Sequence, residues 1–144
     1  MFKRILIPTD GSDITLKATQ TALALAKVHG AAVYAISVKE PFPYSAISEM
    51  QPVPPQEFYD AQERIAASRV KAVVDAAVAA GVVCHGHTVE ALHAWEAILD
   101  HAKAQKCDLI VMASHGRRGV AAMLLGSETS RVLTHSEIPV LVVK

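Results

Sequence analysis

The sequence predicts an α/β protein: an open five-stranded parallel sheet with helices packed on both faces. Three observations carry that expectation. Five short aliphatic runs recur, at residues 5–7, 31–38, 82–89, 109–112 and 138–143, and most are continuous rather than alternating, as in strands buried on both faces. Segments with helical apolar spacing fill the intervals, giving the order βαβαβαβαβ and right-handed crossovers. The 144 residues, 51% hydrophobic but only 5% aromatic, suffice for one domain, residues 1–144, with a core of Ala, Val, Leu and Ile.

The elements follow in order. The first strand, Ile5, Leu6 and Ile7, stops at Pro8. A helix over 12–29 carries Ala18, Ala22, Leu25 and Ala26 on one face; Asp10 or Ser12 can cap it and Gly30 supplies its stop. After the second strand comes a stretch at 39–56 with five prolines, which remove backbone donors and make it a loop, either a lid or a surface excursion. A helix over 56–80 buries Ala66, Val70, Val73 and Ala77 and ends at Gly81. The next, over 91–105, aligns Leu92, Trp95, Leu99 and Ala102, with Trp95 as core; the last, over 126–135, carries Val132 and Leu133.

Composition excludes several function classes. The formal net charge is zero, which argues against nucleic-acid binding through bulk charge and against polybasic membrane attachment. The first residues are too short in apolar length for a signal segment and no run approaches a membrane span, so a cytoplasmic location is expected. Cys84 and Cys107 form no CxxC pair. Cys84, His85 and His87 invite a metal reading, but no further ligand cluster accompanies them, and no metal site is expected.

In open α/β sheets ligands sit beyond the carboxyl ends of the strands, where connections diverge. Two such ends carry suitable chemistry. The first strand leads into Pro8, Thr9, Asp10, Gly11, Ser12 and Asp13; the fourth leads into Ala113, Ser114, His115, Gly116, Arg117, Arg118 and Gly119. The second loop offers amides and guanidinium groups suited to phosphate, and Gly126-Ser127 opens a helix whose amides and dipole favour an anion, with Ser127 as a cap. Asp10 would repel phosphate, but a carboxylate accepts two hydrogen bonds and neighbouring ribose hydroxyls donate two. One end suits phosphates and the other a sugar. The bland alternative is a tight turn with a solvated arginine pair, and neither a GxxxxGK[ST] loop nor a GxGxxG after the first strand is present. His115, without a nucleophile or orienting carboxylate beside it in sequence, is a donor rather than a base.

With PTDGS at 8–12 and ASHGRRGVAAMLLGSETSRVLTHSEIPVLVV at 113–143, the chain resembles the universal stress protein family along its whole length. The family's glycine pattern falls at positions 113, 116, 126 and 127. Gly116, Gly126 and Ser127 match it, and Ala113 stands where the pattern has glycine, tolerable unless that position needs positive φ. The resemblance implies the strand order 3-2-1-4-5, making strands one and four neighbours. It implies an adenine nucleotide, ATP, ADP or AMP, with Mg2+ as an optional companion. Pro8, Thr9 and Asp10 would lie near base and ribose, and the Val38 backbone would meet the adenine. Met112, Ala113, Gly116, Arg117, Arg118 and Gly119 would line the phosphate loop, and Gly126, Ser127, Glu128 and Thr129 would close over the phosphates. Glu128 is uncomfortable there unless its side chain points to solvent or a metal.

The leading expectation is therefore a non-enzymatic nucleotide-binding stress protein that regulates an unspecified partner. The alternatives are a slow ATPase or phosphotransferase on the same site, and a scaffold dimer that no longer binds nucleotide. A flavodoxin-like FMN carrier is excluded by the acidic loop after strand one. The last strand, from Ile138 to Val143, is an apolar edge guarded only by Lys144. A homodimer through this strand would cover it.

Overall fold

A computed structural model describes residues 1–39, 41, 56–117 and 125–144. The strands are β1 (Arg4–Pro8), β2 (Ala32–Lys39), β3 (Cys84–Glu90), β4 (Leu109–Ala113) and β5 (Val140–Val143). The helices are α1 (Asp13–His29), α2 (Gln56–Ala80), α3 (Ala94–Ala104) and α4 (Ser127–His135). They alternate along the chain, and the sheet order is β3-β2-β1-β4-β5 with every adjacent pair parallel. Both the α/β class and the strand order match expectation.

The continuous aliphatic runs divide by alternation between the two faces. Ile5 and Ile7, Val33 and Ala35, and Leu109, Val111 and Ala113 meet Ala18 and Ala22 of α1 and Val70, Val73 and Ala77 of α2. Leu6, Tyr34, Ile36, Ile110 and Met112 meet Ile98 and Ala102 of α3 and Val132 of α4. Ile5, Leu6, Ile7 and Ile110 are fully buried, each worth roughly 1.5–3 kcal/mol relative to an exposed side chain. This two-sided burial replaces the polar alternation of a sheet that faces water on one side.

Gly30 closes α1 with φ 66°, and its N–H donates to the Ala26 carbonyl, the left-handed stop that glycine adopts without steric penalty. Three boundaries differ from expectation by two residues or more. The third helix starts at Ala94, because His93 is extended at its N-cap; Leu92, counted in its apolar face, is 77% exposed. The fifth strand starts at Val140, not 138. Pro139 has no N–H to give, although its carbonyl accepts from the Ile110 amide, and Ile138 belongs to a turn closed by the Ser136 hydroxyl. The third strand starts two residues late, at Cys84, with Val83 63% exposed.

In β3 the intervening residue, rather than the histidines, sets the packing. A Cβ on Gly86 would lie 2.3 Å from Val70 Cγ1, so the bare backbone there lets α2 approach the sheet. His85 and His87 do share the opposite face, where they meet the Tyr34 ring at 5.1 Å and the His101 ring at 4.8 Å. Among the described residues no three metal-ligating side chains converge. Also among them, no helix is long and apolar enough to cross a membrane.

Candidate functional site

Because β1 pairs with β2 on one side and β4 on the other, the connections leaving β1 and β4 diverge to opposite faces. Their carboxyl ends open one crevice. The first loop is built backbone outward. Thr9 extends the ladder by donating its N–H to Ile36 O at 2.9 Å, and its hydroxyl accepts from the Gly11 N–H at 3.2 Å. Gly11 turns the chain with φ 78° over the Arg69 stem, whose Cγ would lie 3.0 Å from a Cβ there.

Asp10 is the junction between the two loops. Its Oδ1 accepts the Ser12 N–H at 2.9 Å and the Ser12 hydroxyl at 2.6 Å, an Asx turn that fixes the carboxylate's plane. Thr15 Oγ1 lies 3.3 Å from the same oxygen and 2.7 Å from the Ser12 carbonyl, and its one proton is shared between them. Oδ2 accepts the Arg117 N–H at 2.6 Å, across 107 positions of sequence. Gly116 passes so close that a Cβ on it would sit 2.7 Å from Oδ2. Asp10 does not cap α1: the N-cap is Ser12 and its side chain makes no capping bond. The expected cap is instead an Asx turn one step upstream.

Burial of Asp10 would raise its pKa, but the Ser12 hydroxyl, the Ser12 and Arg117 amides and Thr15 outweigh it and hold the carboxyl below its ordinary value. A folded-state pKa below the unfolded one adds stability that is complete above the unfolded value. That stability drains as pH falls through the lower folded value. Wild type should therefore lose more of its thermal midpoint than Asp10→Asn between about pH 5 and pH 2. Parallel midpoints for the two proteins would show that the amides do not favour the ionised form.

Around β4 the bonds are equally specific. Ser114 donates its N–H to Val143 O at 2.8 Å and accepts from Gly126 N–H at 2.7 Å through its own carbonyl. The returning chain is thereby pinned against the strand end, and a Cβ at Gly126 would lie 3.1 Å from His115 Cα. Gly126, not Ser127, is the N-cap of α4, and among the described residues no side chain caps the helix. The predicted Ser127 cap is corrected here: Ser127 is the first helical residue. The first-turn amides of α4 thus start at the crevice, with no capping side chain on them among the described residues.

The remaining expected site residues have definite places. Met112 and Ala113 end β4 on opposite faces, within the two core clusters. Lys106 is the one non-glycine residue with positive φ among the described residues, so Ala113 carries no left-handed strain and its methyl is core. Thr129 is buried, its hydroxyl donating to Ala113 O at 2.9 Å to dock α4 on β4. Glu128 turns its carboxylate to α3, where it accepts the Trp95 N–H at 2.8 Å, a helix-terminal charge pairing. Pro8 ends β1 and Val38 stands one residue before the end of β2, both half-buried. His115 Nδ1 lies 3.2 Å from Ser114 Oγ. Arg118 and Gly119 lie outside the described residues.

Sequence reasoning named Asp10 but missed its partners. Ser12 was legible, since a hydroxyl residue two positions after Asp is an Asx-turn signal. The Arg117 amide, the Glu128–Trp95 bond and the Arg69 stem beneath Gly11 leave no local signature.

The fold and crevice define a doubly wound parallel α/β protein with a helix N-terminus and a bridging carboxylate at the switch point. The chain belongs to the universal stress protein family, whose model matches residues 1–144. It is 37% identical over 145 residues to a universal stress protein of Methanocaldococcus jannaschii, covering 100% of this chain and 83% of the relative. The solved structure of another protein of that organism superposes with a TM-score of 0.85 at 27% identity, covering 100% of this chain and 96% of the other. A universal stress protein solved in complex with cAMP matches with TM-score 0.73 at 27% identity, covering 99% and 97%.

Proposed function

We propose that this protein binds an adenine nucleotide across the β1/β4 crevice without turning it over, and that it acts in the stress response as a dimeric sensor or regulator. The observation that carries the reading is the N-terminus of α4, uncapped among the described residues and held at the mouth of β4 by the Gly126–Ser114 bond. Free first-turn amides and the positive end of the helix dipole are an anion site. Asp10 stands at the neighbouring strand end with capacity for a sugar hydroxyl. The cAMP complex of a relative supports an adenine ligand for this fold. ATP, ADP and AMP all fit that chemistry, with Mg2+ an optional companion on the phosphates.

The non-enzymatic part rests on the carboxylates. Hydrolysis needs an oriented water, a base and normally a metal clamp. Asp10 and Glu128 are both engaged by backbone amides of the protein itself, which leaves neither carboxylate poised as a base. Denaturing purified protein and identifying released nucleotide by mass, then titrating ATP, ADP and AMP by calorimetry, tests the reading. Adenine nucleotide in the supernatant or millimolar-or-tighter binding is expected. Silence in both favours the scaffold instead. Phosphate release well above background, abolished by a loop substitution, would make the protein an ATPase.

A further inference from the structure

The sequence places His85 and His87 on one face of a strand with no further ligand beside them. The fold supplies one from α3. His101 packs on His87 with ring centroids 4.8 Å apart and planes tilted by 58°, while His85 turns to Tyr34. Two imidazoles bound about 2.0–2.1 Å from one tetrahedral ion hold their centroids about 5 Å apart. The His87–His101 pair already has that spacing, and its tilt is not that of two stacked rings.

The surroundings suit a cation. His101 Nε2 is buried and has no hydrogen-bond partner among the described residues, although buried polar atoms are ordinarily paired. Burial first, and His87 second, hold the His101 pKa below its ordinary value, so at neutral pH the ring is uncharged and keeps a lone pair to give. His101 also lines a groove of about 360 Å³ together with Glu90, Glu96 and Asp100, and no lysine or arginine is among the described residues that line it. Such a groove draws cations and repels phosphate. His87 is exposed on β3, which is an edge strand among the described residues. Exposed side chains change rotamer within nanoseconds, so the His87 ring can swing to admit an ion to the buried nitrogen.

We propose that His87 and His101 bind a divalent transition metal of the imidazole-preferring class, Zn2+ above all, between β3 and α3, with water completing its coordination. Among the described residues no third ligand converges with them, so the ion is exchangeable, unlike the four-ligand ions that hold small domains together. Imidazole favours Zn2+, Cu2+ and Ni2+ over Mg2+ and Ca2+, which prefer oxygen. The site stands two strands from β1, at the sheet edge away from β5. It is therefore separate from the nucleotide crevice and does not depend on that reading.

Calorimetric titration of Zn2+ into the intact protein, first stripped with EDTA, tests this. One site per chain with micromolar Kd is expected, undisturbed by millimolar Mg2+. His87→Ala and His101→Phe, which fills the ring's place, should each weaken it at least about tenfold, and His85→Ala should stay within about threefold. Wild type should gain roughly 5 °C in thermal midpoint at about a hundredfold excess of Zn2+ over Kd. The ring nitrogens of His87 and His101 should shift together in the NMR spectrum of the wild type, a readout that needs no variant. Absence of saturable binding below millimolar Zn2+ would overturn the proposal, as would binding that survives His101→Phe or ring nitrogens that do not move. Loss of binding in His85→Ala would move the ion onto the strand alone, and displacement by Mg2+ would hand it to the carboxylates; either result also sinks the pair.

Discussion

Gly126→Val should weaken adenine-nucleotide binding by at least about a hundredfold while the sheet stays folded. A Cβ at this position would lie 3.1 Å from His115 Cα and 3.5 Å from the Ser114 carbonyl oxygen. Both are backbone atoms, which cannot rotate aside as a side chain can. The extra branch forces the Gly126–Ser114 bond of 2.7 Å to lengthen and carries the first turn of α4 away from the crevice. Overpacking of this kind costs roughly 1–3 kcal/mol in stability. The larger loss is in binding, where each charge-assisted bond from a displaced amide contributes about 1.5–3 kcal/mol. The remainder of α4 is anchored by fully buried Val132 and by the Thr129–Ala113 bond, so circular dichroism should change little. Gly126→Ala, with no branch, should fall between. A valine variant that binds within threefold of wild type would place the phosphates elsewhere.

Val142→Asp should convert the proposed dimer to monomer or aggregate. Among the described residues β5 is an edge strand, paired only with β4, yet its four residues are all aliphatic and Leu141 is 38% exposed in the single chain. Such an edge invites pairing, and a twofold contact between two copies of β5 closes on itself. A carboxylate at its centre would be buried without a counter-ion at a cost of several kcal/mol. Light scattering at micromolar concentration should give twice the chain mass for wild type and half that value for the soluble variant. An intact dimer in the variant would move the interface off β5.

The architecture was legible because it is written in local patterns. The runs at Ile5 and Leu109, the 3.6-residue spacing of α2 and the glycines that close α1 and α2 are properties of neighbouring residues, and they forecast the α/β class and where the core lies. Boundaries failed where backbone conformation outvoted composition, as at His93, whose extended backbone delays α3, and at Pro139, whose missing donor shortens β5. At the candidate site, sequence named Asp10, Gly116, Gly126 and Ser127 together, but not how their atoms meet. The Asp10–Arg117 bond joins residues 107 positions apart, and the Glu128–Trp95 bond joins residues 33 apart. In each, one partner is a backbone amide, which every residue but proline possesses and no motif distinguishes.

Trp95 holds α4 at both of its ends. Its amide donates to Glu128 in the first turn, and its ring stacks on His135 in the last turn, 4.5 Å between centroids. Those points bracket a nine-residue helix about 13 Å long, so the indole environment depends on where that helix lies. It is also the protein's lone tryptophan. Nature has thus fitted the molecule with an optical gauge: intrinsic fluorescence, with no dye attached and no background from a second indole, reads the position of the helix whose open end faces the crevice.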